Sequence, residues 1–203
     1  VAGHGQTGKT TMIEQLLLAA GIISKAEPVE SGKTVSDYTP EEIDRKISIY
    51  SSLVHLSWKD VLINFWDTPG SSDFIGEVIA AFRTSELALM MMHAKSGIQI
   101  ETVKLWRQLD RRNKARLVFI NHMDDEHASF TKCIHDLRSQ FEVEACPVSI
   151  PMGEGSSYKG IIDVLQGKAW FTEAGSEKEG AIPEEYKAEY ERAREVLAGA
   201  AAE

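Results

Sequence analysis

The sequence predicts an α/β fold: a mostly parallel sheet with helices on both faces, carrying a small inserted α+β subdomain. Three observations predict it. Short, almost wholly apolar runs alternate with segments of helical period, the pattern of a sheet covered on both faces. Gly3-His4-Gly5-Gln6-Thr7-Gly8-Lys9-Thr10 fits the phosphate-loop pattern G-x-x-x-x-G-K-[ST] without a mismatch. Two later motifs, Asp67-Thr68-Pro69-Gly70 and Asn121-His122-Met123-Asp124, each close an apolar run. Sheets of this kind bind ligands just past strand carboxyl ends. Together these features place the chain among P-loop NTPases.

Taken in order, Lys9 to Ala20 reads as a helix with Ile13, Leu16, Leu17 and Ala20 on one face, stopped by Gly21. Ile22 to Lys46 loses periodicity and turns polar, which predicts a long surface loop with at most one helical turn after Pro40. Ile47 to Trp58 and Val61 to Trp66 are β-rich runs joined at Lys59-Asp60, a hairpin. Phe74 to Arg83 is helical, Leu87 to His93 a buried strand, Ile100 to Arg112 helical, and Ala115 to Asn121 a second buried strand. His127 to Phe141 is again helical, and Val143 to Ile150 completes the alternation. Beyond Pro151 the pattern changes. Gly160 to Val164 and Lys168 to Thr172 read as short strands, Gly175 to Gly180 as a charged turn region, and Pro183 opens a helix to the end. We therefore expect a nucleotide domain over residues 1–152 and a subdomain over residues 153–203, truncated at its C-terminal end.

Composition narrows the function. Of the 203 residues, 43% are hydrophobic and 26% charged, ordinary for a soluble globular protein. A net charge of −9 argues against a general nucleic-acid binder, so no direct DNA contact is expected. Cys133 and Cys146 lack both C-x-x-C and zinc-finger spacing and read as reduced thiols of a cytosolic protein. No apolar run approaches the ~20 residues of a membrane span. The expectation is a cytoplasmic monomer with no membrane contact. Only Val1 and Ala2 precede the phosphate loop, and Ala198 to Glu203 is helical without a closing cap. A piece of something longer, or a chain with unseen flanks, is expected.

The motifs as a set, Gly-His-x-x-x-Gly-Lys-Thr-Thr, Asp-Thr-Pro-Gly-x-x-Asp-Phe and Asn-x-Met-Asp, resemble the GTP-binding domain of translation factor GTPases. Within that group the similarity is greatest to bacterial elongation factor G. Glu101-Thr102-Val103 with Trp106-Arg107-Gln108 resembles a helix of that factor, and Tyr158-Lys159-Gly160-Ile161-Ile162-Asp163 with Ile182-Pro183-Glu184 resembles its additional subdomain. The resemblance implies GTP and GDP as ligands, Mg²⁺ as cofactor, and the ribosome as partner, met through domains absent from this chain and through this one. It also implies a further guanine-contacting loop beyond Glu203.

The residue chemistry agrees with that implication. The expected nucleotide site comprises Gly3, His4, Gly5, Gln6, Thr7, Gly8, Lys9, Thr10 and Thr11, then Asp67, Thr68, Pro69, Gly70 and Ser71, then Asn121, His122, Met123 and Asp124. Glycines let backbone N–H groups close on phosphate oxygens, and Lys9 adds positive charge at the outer phosphates. Thr10 and Asp67 suit Mg²⁺, Asp67 through water. Gly70, lacking a Cβ, suits close approach to the γ-phosphate. Asp124 offers two acceptors to the N1–H and exocyclic amine of guanine, which adenine cannot match. Three residues depart from the family's pattern. His122 replaces a Lys whose stem covers the base, Ser48 replaces a Mg²⁺-binding Thr, and Ser71 replaces the His that positions the attacking water. Lys9, Gly70 and Ser71 form the catalytic expectation, with Thr10, Ser48 and Asp67 as metal ligands.

Three readings follow. One is the GTP-binding domain of an elongation factor G-like translational GTPase, coupling GTP hydrolysis to translocation or a related step. Another is a slow-hydrolysing regulatory paralogue, which Ser71 favours. The third, an ATP-using P-loop kinase, is disfavoured by Asp124 and by the lack of a candidate lid or acceptor site.

Overall fold

The computed structural model describes residues 1–173 and 176–202. Its contacts separate into two compact units, Val1–Met92 with Ile98–Asn121, and His93–Gly97 with His122–Glu203.

In the first unit β1 (Ala2–Gly3) runs through the phosphate loop into α1 (Lys9–Ala19). There follow α2 (Pro40–Arg45), a hairpin of β2 (Ser52–Trp58) and β3 (Val61–Asp67), α3 (Ile75–Thr84), β4 (Leu87–His93), α4 (Ile100–Asp110) and β5 (Ala115–Asn121). The three-stranded sheet has the order β1-β4-β5, with β1 parallel to β4 and Gly3 opposite Met91. This is the mixed α/β architecture that the alternating pattern predicts. β4 owes its place to Met90, Met91 and Met92, all 2% exposed or less, as in a strand covered on both faces.

Lys59 and Asp60 both take positive φ, which gives the two-residue turn the twist the hairpin strands need. Along β2, Val54 and Leu56 are buried while Leu53 and His55 are exposed, the period-2 pattern of a half-covered strand. Val54 and Leu56 pack with Ile13 and Leu17 of α1 in one cluster, flanked by Ile23, Ile63 and Phe65. α1 ends where predicted: Gly21 turns left-handed, and Ile22 N–H returns to Leu17 O at 2.9 Å.

The segment expected to be a surface loop with at most one helical turn after Pro40, residues 22–46, does turn helical at Pro40 and is otherwise more built than that. It contains a 3₁₀ turn at Val29–Ser31 and the six-residue α2, whose Thr39 and Glu42 form a capping box. Thr34, Ser36, Asp37 and Glu42 are all buried. Two buried carboxylates satisfy backbone N–H groups of this segment and of the residues that follow it. Glu14, 1% exposed, accepts from Glu27 N and Val35 N at 3.0 and 2.7 Å. Glu42, equally buried, accepts from Ile49 N, Tyr50 N and Thr39.

The second unit contains α5 (Phe130–Phe141), β6 (Ser149–Met152), β7 (Gly160–Asp163), β8 (Lys168–Glu173), β9 (Ser176–Gly180) and α6 (Glu184–Ala200). The strands form an antiparallel meander in that order. Its core is Ile150, Met152, Ile162, Val164 and Ala169 with Ala193 of α6, and Tyr186, Tyr190 and Leu197 pack around it. Both cysteines are free, and burial pushes the Cys133 thiol up to about 11.

Two element expectations are corrected. Residues 143–148 form no continuous strand, and the ladder that starts at Ser149 is antiparallel to β7. The strand lies at the edge of its sheet, where even Pro151 is accommodated in the ladder. The expected charged turn at Gly175 to Gly180 is instead the edge strand β9 from Ser176 on; Gly175 itself, like the terminal Glu203, lies outside the described residues. Charges mark exposed edges as readily as turns, and Lys168 of β8 reaches Glu179 of β9 at 2.7 Å.

Candidate nucleotide site

Backbone conformation shapes the phosphate loop. Gly8 caps α1 at φ +86°, and a Cβ on Gly3 would lie 2.4 Å from Met91 O. α1 begins with no side-chain cap and no acid in its first turn, leaving N–H groups and the positive end of the helix dipole for an anion. Thr7 Oγ1 and Lys9 Nζ both donate to His4 O at 2.9 Å. Asn121, ending β5, donates Nδ2 to Thr7 O at 3.0 Å and ties that strand to the loop. Gly70 presses on the loop so closely that a Cβ would fall 2.8 Å from Gly5 N and 2.6 Å from Lys9 Nζ. Thr68 is buried and donates to Val1 O, while Pro69 is buried and Gln6 and Thr11 are exposed. His4 Nδ1 lies 3.0 Å from Glu101 Oε2, near enough for an ion pair yet off the line of a hydrogen bond.

Beside Lys9 sits a buried cluster of hydroxyls and carboxylates. Thr10 Oγ1 and Ser36 Oγ both donate to Asp67 Oδ2, at 2.8 and 2.7 Å. Ser48 Oγ stands 3.5 Å from Thr10 Oγ1 and bonds Asp37. Asp67 Oδ1 and Asp37 Oδ2 are buried with no hydrogen-bond partner among the described residues. Burial pushes the Lys9 ammonium down to about 8, against the pull of Asp67 and Asp37. Burial also raises the Asp37 carboxyl, with Asp67's charge adding and Ser48's hydroxyl opposing. Unpaired buried carboxylate oxygens are costly, and an all-oxygen donor set of this kind fits a hard cation such as Mg²⁺.

Of the side chains gathered in this cluster, the sequence singled out Thr10, Ser48 and Asp67 and missed Ser36 and Asp37. Both lie in an aperiodic polar stretch where nothing distinguishes them from their neighbours. Only the folding back of that stretch brings them to the end of β3.

Ser71 is half-buried and caps the 3₁₀ turn Ser72–Phe74, its Oγ accepting from Asp73 N at 3.3 Å. Its hydroxyl proton remains available to donate.

The loop after β5 belongs to the second unit. His122 takes φ +60°, Met123 is buried, and Gly155 N–H holds Met123 O at 2.8 Å. That arrangement leaves Asp124 exposed, its carboxylate free to meet a ligand. Burial raises the phenol of Tyr158, and the charge of Asp124 adds to the effect. One face of the His122 ring is taken by the ring of His93, a residue the sequence offered only as a strand histidine.

Fold and phosphate loop together define a P-loop nucleotide-binding domain. The family described as "Elongation factor Tu GTP binding domain" matches residues 1–201, and the chain belongs to it. It is 32% identical over 197 residues to "Elongation factor G" of Mycoplasma pneumoniae, covering 96% of this chain and 29% of that protein. To the "Elongation factor G-like protein" of Thermotoga maritima it is 34% identical over 184 residues, covering 91% of this chain and 26% of the relative. A crystal structure from Thermus thermophilus superposes with a TM-score of 0.89 at 32% identity, over 96% of this chain and 29% of that one. The chain therefore spans less than a third of the length of the relatives it matches. No helix among the described residues is long and apolar enough to cross a membrane.

Proposed function

We infer that this chain is the GTP-binding domain of an elongation factor G-like translational GTPase, hydrolysing GTP to GDP in a step taken on the ribosome. The observation that carries the reading is the cluster beside the phosphate loop. Lys9 supplies charge for the outer phosphates, while Thr10, Ser36, Ser48, Asp37 and Asp67 present oxygens suited to a hard cation. Mg²⁺ held there by Thr10, Ser48 and Asp67 neutralises phosphate charge when bound. The close approach of Gly70 to Lys9 Nζ and Gly5 supports a role for its N–H in sensing the γ-phosphate. Asp124 selects guanine and Asn121 braces the phosphate loop. The antiparallel β6–β9 meander supports a subdomain on the C-terminal side of the chain, and because β6 pairs with β7 that subdomain begins ahead of the boundary expected at residues 152/153. Likeness to elongation factors supports a protein that meets the ribosome in the cytoplasm.

One observation favours the second reading, a GTP-binding paralogue that hydrolyses slowly. Ser71 stands where the family's water-positioning His is expected, and its oxygen is engaged as a cap. Turnover of GTP by the full-length protein, with and without ribosomes, separates the two. Fast ribosome-stimulated turnover supports the first and slow turnover at high GTP affinity the second. Preference for ATP over GTP in calorimetry would overturn both.

A further inference from the structure

His93 and His122 meet face to face in the second unit, ring centroids 4.5 Å apart and planes 11° from parallel. Asp125 closes the cluster, its Oδ2 3.2 Å from His93 Nε2. One ligand atom from each of the three residues lies within 4.8 Å of the others. His122 Nε2 is buried and has no hydrogen-bond partner among the described residues. A His93–Asp125 ion pair with a stacked neighbour would account for two of the three side chains. It leaves that nitrogen unused, and a buried polar atom without a partner calls for an explanation.

We propose that His93, His122 and Asp125 form a binding site for a divalent transition metal of the zinc class, through two imidazole nitrogens and one carboxylate oxygen. The donor set decides the class: two nitrogens with one oxygen suit Zn²⁺, Co²⁺ or Ni²⁺, whereas Mg²⁺ and Ca²⁺ take oxygen ligands. One of the three distances already agrees. Bonds of about 2.0–2.2 Å to a tetrahedral ion set its ligand atoms about 3.3 Å apart, and the His93–Asp125 pair already stands at 3.2 Å. His122 must turn out of its stacked position to aim a lone pair at the same point. Three protein ligands leave a fourth position for water. The His93 and Asp125 side chains are 20% and 44% exposed, so an ion has a way in.

The site bears on the loop it sits in. His122 and Asp125 bracket Met123 and Asp124, so a bound ion fixes the backbone that presents Asp124. Nucleotide release then slows when the metal is bound. That consequence rests on the guanine assignment of the preceding section, but the metal site itself does not.

Cobalt(II) and zinc titrations of the full-length protein in excess Mg²⁺, which keeps the phosphate-loop cluster occupied, test the site. The expected result is one equivalent of Co²⁺ with a visible d–d band, displaced by Zn²⁺. His93→Asn and His122→Asn should each weaken Zn²⁺ by more than the roughly 10–100-fold typical of losing an outer-shell partner. Because either variant can misfold, imidazole NMR of the unmodified protein is the second readout. One equivalent of Zn²⁺ should move the ring signals of His93 and His122 and leave those of the exposed His55 and His135 in place. Unmoved His93 and His122 signals, or asparagine variants that bind as tightly, overturn the site. Unchanged nucleotide off-rates with zinc bound overturn the coupling. GTP affinity of chelator-treated protein in Mg²⁺ is measured separately, so failure of the nucleotide reading is seen apart from failure of the metal site.

Discussion

Ser36 Oγ donates to Asp67 Oδ2 at 2.7 Å, joining a residue of the loop before α2 to the end of β3, 31 positions away. Thr10 donates to the same oxygen, so one buried carboxylate oxygen gathers hydroxyls from the phosphate loop and from the polar segment after α1. Ser52 Oγ, at the start of β2, in turn holds Ser36 O at 2.7 Å. The loop is thereby fixed to the hairpin and to the proposed cation site together.

Ser36→Ala should therefore loosen the cation site without touching the phosphate loop. A hydrogen bond to a charged group contributes about 1.5–3 kcal/mol. The Mg²⁺ concentration for half-maximal binding of a GTP analogue should rise roughly tenfold, with smaller change for GDP. A Mg²⁺ titration with a fluorescent analogue reads this. An unchanged midpoint would remove Ser36 from the site.

Lys9 predicts a pH dependence of nucleotide affinity. Burial sets its ammonium at about 8 in the free domain, and triphosphate oxygens beside it must raise that value. Below about pH 8 Lys9 is already charged, so affinity should be flat. Above it, binding has to take up a proton, and affinity should fall by up to about tenfold per unit. In the free domain the depressed value works the other way on stability, which should rise between about 8 and 10.5. Calorimetry near pH 9 in buffers of different ionisation enthalpy should report proton uptake, and Lys9→Ala should abolish triphosphate binding. Absence of uptake would separate Lys9 from the phosphates.

Glu42 predicts a local acid transition. Burial pushes its carboxyl up, but the N–H groups of Ile49 and Tyr50, with both donors of Thr39, outweigh it and hold it below the ordinary 4.5. Its contribution is complete above 4.5 and is lost as pH falls through the lowered folded value. Glu42→Ala leaves buried donors unpaired, at about 1–3 kcal/mol. Amide exchange at Ile49 and Tyr50 should accelerate by about 10- to 100-fold, with α1 unaffected. Equal protection in variant and parent would mean other groups hold the segment.

Ser71→His addresses hydrolysis. A well-placed polar group at the reacting centre is worth on the order of 10²–10³ in rate, or ~3–4 kcal/mol. Ribosome-stimulated turnover should rise toward that range at unchanged GTP affinity. If the serine protein is already fast and histidine adds nothing, another residue positions the water.

Asp124→Asn should weaken GTP by about 10–100-fold, the loss of a charged acceptor facing two donors, and narrow the margin over ATP. Competition binding with both nucleotides checks it. An undiminished guanine preference would place recognition elsewhere.

The sequence by itself determined the α/β class, the phosphate loop, the hairpin turn at Lys59-Asp60 and the end of α1 at Gly21. Each rests on short-range physics: glycine's access to positive φ, period 2 against period 3.6, and burial of continuous apolar runs. Thr10 and Asp67 were legible because fixed motifs carry them. Tertiary structure alone decided the rest. Ser36 and Asp37 joined the cluster, Glu14 and Glu42 became the supports of residues 22–51, and His122 came to lie on His93. The strand after residue 148 likewise paired antiparallel with β7. In each case the deciding partner lies far along the chain or across a turn, and a polar residue's sequence neighbourhood does not say which distant group will satisfy it. Burial makes an unpartnered N–H, carboxylate or imidazole costly, but which partner each one meets depends on where the backbone has been folded.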